Sequence, residues 1–228
     1  MELRVIARAY NGYTEKFGIP RQSGCAASVL TRIVFEREFR HAESLRGIEE
    51  WSHLWLLWGF SANEGWSPTV RPPRLGGNKR IGVFATRSPF RPNSIGLSSV
   101  RLEKVEKTRE EGLVLVVSGA DLMNGTPIYD IKPYLPYTDI HTDATNGFAG
   151  ENTDYRLEVK WAKGTKKGVP ASVIKELNEI LAEDPRPAYQ HDERLYAFCF
   201  AGYTVQFRVA EKLLTVHHLT QEEKSQEP

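Results

Sequence analysis

Residues 95–120, IGLSSVRLEKVEKTREEGLVLVVSGA, decide the fold class of this 228-residue chain. They hold two runs rich in Val, Leu and Ile, residues 95–106 and 112–120, separated by a charged cluster. Short runs of β-branched and aliphatic residues bounded by charged or glycine positions are typical of β-strands. The stretch therefore predicts two consecutive strands.

Further runs of the same composition precede this stretch. They are LRVIARAY at 3–10, SVLTRIVF at 28–35, SHLWLLWGF at 52–60 and RIGVFAT at 80–86. We expect Trp51, Trp55 and Trp58 to pack in the core, and one brief helix at 41–51, HAESLRGIEEW. Because so many strands have so little helix between them, a mainly β domain of residues 1–143, a barrel or sandwich, is favoured over a doubly wound α/β sheet.

The second half of the chain predicts a small α+β domain at residues 155–220. A polar linker at 144–154 precedes it, and a disordered tail at 221–228 follows. Residues 170–184 place apolar side chains on one helical face. The predicted strands are 155–162, 194–200 and 204–210, with 212–219 as a candidate for another.

Composition limits the class of protein. Lys and Arg number 30 against 29 Asp and Glu, so the net charge of +1 selects no highly charged partner. Cys25 and Cys199 have no metal-binding or redox spacing. The N-terminus lacks the apolar core of a signal peptide, and the longest apolar run, 53–60, is too short to span a membrane. We expect a soluble, cytoplasmic protein with no membrane and no metal partner.

Positive charge is concentrated in one segment rich in proline and glycine. No acidic residue occurs between Glu64 and Glu103. The basic residues in this interval are Arg71, Arg74, Lys79, Arg80, Arg87, Arg91 and Arg101. A solvated surface is the alternative explanation. However, prolines and glycines fix loops that present donors, and an anion would offset the repulsion between arginines held close together. The segment predicts an anion-binding loop.

Residues 119–139, GADLMNGTPIYDIKPYLPYTD, predict a turn at NGTP and then a proline-bounded edge strand. Asp130 and Lys132 are two apart and so point to the same side of the sheet. With Tyr134 and Tyr137 they are candidates for a polar pocket. The scattered histidines and unpaired cysteines support no metal site, and the chain has no strand followed by G-x-G-x-x-G and a helix, the Rossmann signature.

Four motifs resemble the TsaA-like (YaeB) family. They are EKFGIPRQSG at 15–24, VRPPRLGGNKRIGVFATRSPFRPNSIGLS at 70–98, DLMNGTPIYDIKPYLPY at 121–137 and DPRPAY at 184–189. The resemblance covers nearly the whole chain. It departs from the family pattern at Ser94, at Asn124 and in the short segment SANEGW, residues 61–66.

The resemblance implies a β-barrel that binds S-adenosyl-L-methionine without a Rossmann fold, as a homodimer with the site near the subunit interface. It also implies a tRNA (adenine-N6)-methyltransferase acting on N6 of N6-threonylcarbamoyladenosine beside the anticodon. The implied cofactor-binding residues are Ser23, Gly24, Cys25, Asn63, Glu64, Arg87, Leu97, Ser118, Gly119, Ala120 and Asp121. Arg87 would pair with the methionyl carboxylate. The residues expected to meet substrate anions, either anticodon-loop phosphates or the threonyl carboxylate, are Arg71, Arg74, Arg91 and Asn93.

In this reaction Asp130 and Tyr134 are candidates to remove the proton of the acceptor nitrogen, and Lys132 to lower the tyrosine's pKa or bind the substrate carboxylate. Two alternatives stay open: a non-catalytic RNA-binding β-barrel, and a methyltransferase of the same fold with a different substrate. The C-terminal domain either docks tRNA through Arg186, Tyr189 and Arg194 or covers the barrel.

Overall fold

The first unit of the protein is a closed β-barrel. A computed structural model describes residues 2–72, 79–149, 155–186 and 194–222. The strands of this unit are β1 (Ala7–Tyr10), β2 (Leu30–Phe35), β3 (His53–Gly59), β4 (Thr69–Val70), β5 (Ile81–Gly82), β6 (Ile95–Thr108), β7 (Gly112–Ser118) and β8 (Pro127–Pro133). Six of them close the barrel in the order β1–β2–β7–β6–β3–β8, and β4 pairs with β5 in a separate sheet. The predicted barrel is confirmed.

The strand β6 shows how the sequence specifies the barrel wall. Gly96, Ser98 and Val100 are buried whereas Leu97 between them is exposed, which is the two-residue period of a strand. Gly96 is needed because the indole of Trp58 fills the space beside it: an added Cβ would lie 2.3 Å from Trp58 Cε2. The glycine therefore admits a large aromatic ring to the barrel interior.

Two predicted elements around the barrel are wrong. Residues 80–86 are not one strand: β5 ends at Gly82 and a 3-10 turn, Val83–Ala85, follows, its first amide bonded to the carbonyl of Pro68. Residues 41–51 are not one helix either. They form two 3-10 turns, Ala42–Leu45 and Ile48–Glu50, because Gly47 between them has a left-handed backbone with φ +84°.

Two predictions about burial and pairing also fail. β8 is no edge strand, because it pairs with β1 on one side and β3 on the other and so closes the barrel. Its prolines stand at the two ends of the strand, where the lost amide donors cost little. Trp51 is 38% exposed and lies outside the core that Trp58 joins.

The second unit is a four-stranded sheet covered by a helix. Its elements are β9 (Glu158–Trp161), α2 (Ala171–Ala182), β10 (Tyr196–Phe200), β11 (Tyr203–Ala210) and β12 (Leu213–Gln221), and a single turn, α1 (Pro136–Asp139), follows β8. The sheet order is β10–β11–β12–β9, with β9 parallel to β12 at one edge. The helix buries Leu177, Ile180 and Leu181, as its apolar face predicts. β12 is the additional strand suggested by residues 212–219, and it extends one residue into the predicted tail.

The two units share the long connection between β1 and β2. Tyr13, Ala26 and Val29 in this connection are buried in the core of the second unit, beside Leu177 and Phe200. The barrel has its own core, in which Leu56, Leu115 and Ile128 are fully buried. The connection therefore fastens the barrel to the second unit. No helix within the described ranges is long and apolar enough to cross a membrane.

Candidate functional site

A cavity of about 240 Å³ lies where the β1–β2 connection meets one end of the barrel. Its wall includes Arg21 and Gln22 from the connection and Asn63 from the loop after β3. Apolar residues from three strands or loops complete it: Trp58, Phe60, Leu97 and Met123. The cavity thus has an apolar interior with polar groups at the connection.

Two glycines bring the connection against the end of β7. The amide of Gly24 donates to the carbonyl of Gly119 at 2.8 Å, and both residues have positive φ, +83° and +75°. A Cβ on Gly119 would lie 3.1 Å from the Cα of Gly24, which is tighter than nine in ten real Cβ contacts, so the backbone of Gly24 would have to shift. This backbone approach places predicted cofactor residues 23–25 beside predicted cofactor residues 118–121.

Asp121 presents a half-buried carboxylate to the cavity. Its Oδ1 accepts a 2.5 Å hydrogen bond from the hydroxyl of Ser98, which in turn accepts one from Trp58 Nε1 at 2.9 Å. The backbone amide of Ser23 also lies close enough to this carboxylate to lower its pKa. Burial raises the pKa of Asp121, and the hydrogen bond from Ser98 opposes that rise because it favours the ionised form.

Arg87 supplies a positive charge at the same cavity. Its guanidinium is exposed, and Nη1 donates to Gln22 Oε1 at 2.7 Å. The charge of Arg87 also lowers the pKa of Asp121, although less than burial raises it. Lys16 and Arg21 also line the cavity, but both donate to backbone carbonyls. Arg87 and Asp121 therefore form a guanidinium and carboxylate pair that is complementary to a zwitterionic ligand.

Arg91 shapes the loop that carries Arg87. Its Nη1 donates to the carbonyls of Thr86 at 2.7 Å and Val83 at 3.0 Å, and its guanidinium lies 5.5 Å from the ring centroid of Phe84. Arg91 thus supports the backbone of the 83–87 turn. The sequence predicts only an anion contact for this residue.

The three residues predicted to be catalytic lie away from this cavity. Lys132 Nζ and Asp130 Oδ2 form a 2.7 Å ion pair, in which both side chains are substantially exposed. The ring of Tyr134 packs 5.4 Å from that of Trp55, near the start of β3. None of the three belongs to the cavity wall, whereas Trp58 at the far end of β3 does.

The other residues predicted to bind cofactor or substrate lie in different positions relative to the cavity. Asn63 and Leu97 line the cavity, but Glu64 does not. Ser118 is turned away, since its hydroxyl donates to Glu103 at 2.6 Å. Ala120 is buried, and Cys25 is half-buried, with burial as the main cause that raises the pKa of its thiol. Arg71 is exposed, and Asn93 lies in a shallow groove beside Phe60. Arg74 lies outside the described residues.

Family models match both units of the chain. The tRNA-methyltransferase O N-terminal domain matches residues 9–140, and the TrmO C-terminal domain matches residues 155–222. The chain belongs to the TrmO family.

Relatives and solved structures agree with this assignment. The chain is 40% identical over 210 residues to the tRNA (adenine(37)-N6)-methyltransferase of Escherichia coli (strain K12), covering 87% of this chain and 89% of that protein. It is 43% identical over 190 residues to a putative S-adenosylmethionine-dependent methyltransferase, RcsF, of Pseudomonas aeruginosa, covering 79% and 80%. A crystal structure of TrmO from Pseudomonas aeruginosa superimposes with a TM-score of 0.77 at 31% identity, covering 96% of this chain and 98% of that one.

Sequence reasoning missed the residues that connect the TrmO-family motifs inside the barrel. Ser98 ends the motif at 70–98 but has no predicted role, and Trp58 is predicted to pack in the core. Trp58 is buried and also lines the cavity. The strand register pairs Trp58 with Gly96, which brings the indole beside Ser98. That register is a property of the closed barrel, so only the small residue at position 96 was a signal.

Proposed function

We propose that this protein is an S-adenosyl-L-methionine-dependent tRNA methyltransferase. Its substrate would be N6 of N6-threonylcarbamoyladenosine beside the anticodon. Membership of the TrmO family and the names of its relatives support the reaction class. The observation that carries the proposal is the single cavity in which Arg87 and Asp121 stand together.

The residues of the cavity fit this cofactor. S-adenosyl-L-methionine carries a carboxylate, an ammonium, a sulfonium and a nucleoside. Arg87 is placed to pair with the carboxylate, and the half-buried Asp121 is suited to the ammonium or a ribose hydroxyl. Trp58, Leu97 and Met123 offer apolar surface to the rest of the molecule. The cavity therefore complements the cofactor in both charge and polarity.

The cofactor supplies an activated methyl group on a sulfonium. The chain's part is to hold donor and acceptor in line, and such alignment contributes about 7 to 11 kcal/mol to a two-component reaction. The acceptor nitrogen must lose its proton during transfer. The sequence predicts Asp130 or Tyr134, assisted by Lys132, as the base. Because these side chains lie outside the cavity wall, we propose that alignment contributes most of the rate and that Asp130 contributes little.

The substrate's anions would meet the basic segment next to the cavity. Arg71 and Asn93 are exposed. Arg91 uses Nη1 to support the turn, and its other guanidinium nitrogens can donate to an anion. We propose these residues, with Arg74, as contacts for anticodon-loop phosphates or the threonyl carboxylate. Guanidinium groups suit both, since they pair bidentately with either anion.

We also propose that the protein acts as a cytoplasmic homodimer. Large apolar side chains are exposed on the segment that surrounds Arg87: Trp66, Phe84, Phe90, Ile95 and Leu97. Exposed apolar groups concentrated in one region of a protein are typical of interaction surfaces. A second copy covering this segment would shield the cavity from water, which strengthens the electrostatic contacts within it.

The experiment is a methylation assay on tRNA transcripts with and without the threonylcarbamoyl group, combined with calorimetry of cofactor binding. We expect transfer only to the modified transcript. We expect R87A to weaken cofactor binding by about 10- to 150-fold, the equivalent of a charged hydrogen bond of about 1.5–3 kcal/mol. The cofactor affinity of R87K should lie between those of R87A and the wild type, because lysine keeps the positive charge but cannot form the bidentate pair of a guanidinium. R109A, beyond the other end of β6, is the matched control.

The results discriminate between the alternatives. Melting unaffected by S-adenosyl-L-methionine, together with tight RNA binding, would indicate a non-catalytic RNA-binding barrel. Equal transfer to both transcripts would indicate a methyltransferase with a different substrate. Cofactor binding that is unchanged in R87A would refute the site.

A further inference from the structure

The end of β9 and its connection to α2 carry unbalanced positive charge. Lys160, Lys163, Lys166 and Lys167 are all exposed within eight residues, and we call them the lysine surface. Within the described part of the chain, the only ion pair recorded for these lysines joins Lys160 to Glu158, at 3.4 Å. The lysine surface is therefore a local cationic site on a chain of nearly neutral charge.

The loop that carries these lysines is held by its own hydrogen bonds. The Thr165 hydroxyl donates to the carbonyl of Ala162 at 2.8 Å, and the Lys167 amide donates to that of Gly164 at 3.1 Å. Gly164 and Gly168 have φ of +88° and +78°, which permits two successive tight turns. The positive charges are thus presented by a defined turn structure.

An aromatic ring and a groove lie beneath the lysines. Trp161 is fixed by a 2.8 Å hydrogen bond from Nε1 to Asn178 on α2, and Lys166 Nζ lies 5.1 Å from its ring centroid. An open groove of about 450 Å³ runs along Lys160, Trp161 and the following loop, at the edge of the sheet. Three of the residues that line the groove are lysines, so the groove is positively charged.

The helix α2 relates this surface to the cofactor cavity. Arg21 of the cavity wall donates to the carbonyls of Asp184 and Arg186, just past the C-terminal end of α2. The lysine loop leads into the N-terminal end of the same 12-residue helix, which is about 18 Å long. A nucleic acid with one base at the cavity can extend across that distance.

The arginine first expected to dock tRNA is committed elsewhere. Arg186 is 6% exposed and forms two 2.9 Å hydrogen bonds with the carboxylate of Asp184. Tyr189 lies outside the described residues. Arg194 Cζ lies 4.8 Å from the ring centroid of Tyr196. Arg186 is therefore not available to a phosphate, whereas the four residues of the lysine surface are exposed together.

We propose that the lysine surface binds the sugar–phosphate backbone of tRNA outside the anticodon loop, an inference that rests on the proposed function. Lysines are compact point charges that contact phosphates without reading bases, so they add affinity independently of sequence. Each phosphate they neutralise releases counterions and makes binding more sensitive to salt. The barrel would then select the modified base while the second unit holds the stem.

The test compares K163Q/K166Q/K167Q with the wild type on full-length modified tRNA. We expect the KM for tRNA to rise about tenfold or more at physiological salt, with kcat and cofactor affinity unchanged. In fluorescence-anisotropy titrations, the slope of log K against log salt should fall by about 2 to 3, since each phosphate contact contributes about 0.9.

Two matched variants sharpen the result. K104Q/K107Q/R109Q removes the same charge at the β6–β7 end of the barrel and should bind tRNA like the wild type. K163R/K166R/K167R should restore affinity. The inference is overturned if K163Q/K166Q/K167Q keeps the wild-type KM and salt slope, or if K104Q/K107Q/R109Q loses as much affinity for tRNA. If the wild type does not methylate, the proposed function fails, and the titrations still decide whether the surface binds tRNA.

Discussion

Replacing Ser98 by alanine tests the buried network that positions Asp121. The Ser98 side chain is fully buried, donates to Asp121 at 2.5 Å and accepts from Trp58 Nε1 at 2.9 Å. Alanine leaves the indole N–H without a partner, at about 1–3 kcal/mol, and removes a hydrogen bond to a charged group, at about 1.5–3 kcal/mol. We expect a loss of about 2.5–6 kcal/mol, or about 5–24 °C in Tm at 2–4 °C per kcal/mol.

The same substitution should change the pH dependence of cofactor binding. Burial already raises the pKa of Asp121, and Ser98 opposes the rise. Without its donor the pKa rises further, so the carboxylate is protonated at higher pH. Because the protonated form cannot pair with an ammonium, affinity for S-adenosyl-L-methionine should fall with decreasing pH, and in S98A the fall should begin at higher pH.

Calorimetry across a pH series and thermal melts measure both effects. S99A is the matched control: its side chain lies on the opposite face of β6, makes no hydrogen bond among the described residues, and should change stability by under about 0.5 kcal/mol. In a W58F background the cost of S98A should drop by about 1–3 kcal/mol, because no indole N–H is left unpaired. Equal melting of S98A and S99A, or no coupling to Trp58, would refute the network.

Two further substitutions test the backbone approach and the predicted base. G119A should destabilise the fold and weaken cofactor binding more than G125A. Both glycines have positive φ, so either substitution costs about 1–2 kcal/mol for the left-handed conformation. Of the two, only a Cβ at position 119 would also press against the backbone of Gly24. Thermal melts with equal losses in the two variants would contradict the close approach. D130N should retain kcat within about threefold, roughly 0.7 kcal/mol, because Asp130 pairs with Lys132 outside the cavity wall. A hundredfold loss in a folded D130N protein would instead support the base predicted from sequence.

The barrel strands were predictable where local composition is unambiguous. The alternation along β6 and the apolar run of β7 reflect which side chains are buried. Burial of one face of a strand or helix produces a regular spacing of apolar residues that can be read from the local sequence. The apolar face of α2 is the same kind of signal with a different period. Residues 80–86 misled because their composition favours a strand, whereas only two of them find a partner strand.

The cofactor segments were predictable from motifs, but their arrangement was not. The sequence by itself determined a mainly β first domain, which the family resemblance narrowed to a barrel, and determined which short segments carry polar and basic groups. Only the tertiary structure decided that Ser23 and Asp121 meet, that Ser98 and Trp58 orient the carboxylate, and that Arg91 supports the turn beneath Arg87. The physical reason is that these contacts join residues distant in sequence, and barrel closure and strand register, which involve the whole chain, set their distances.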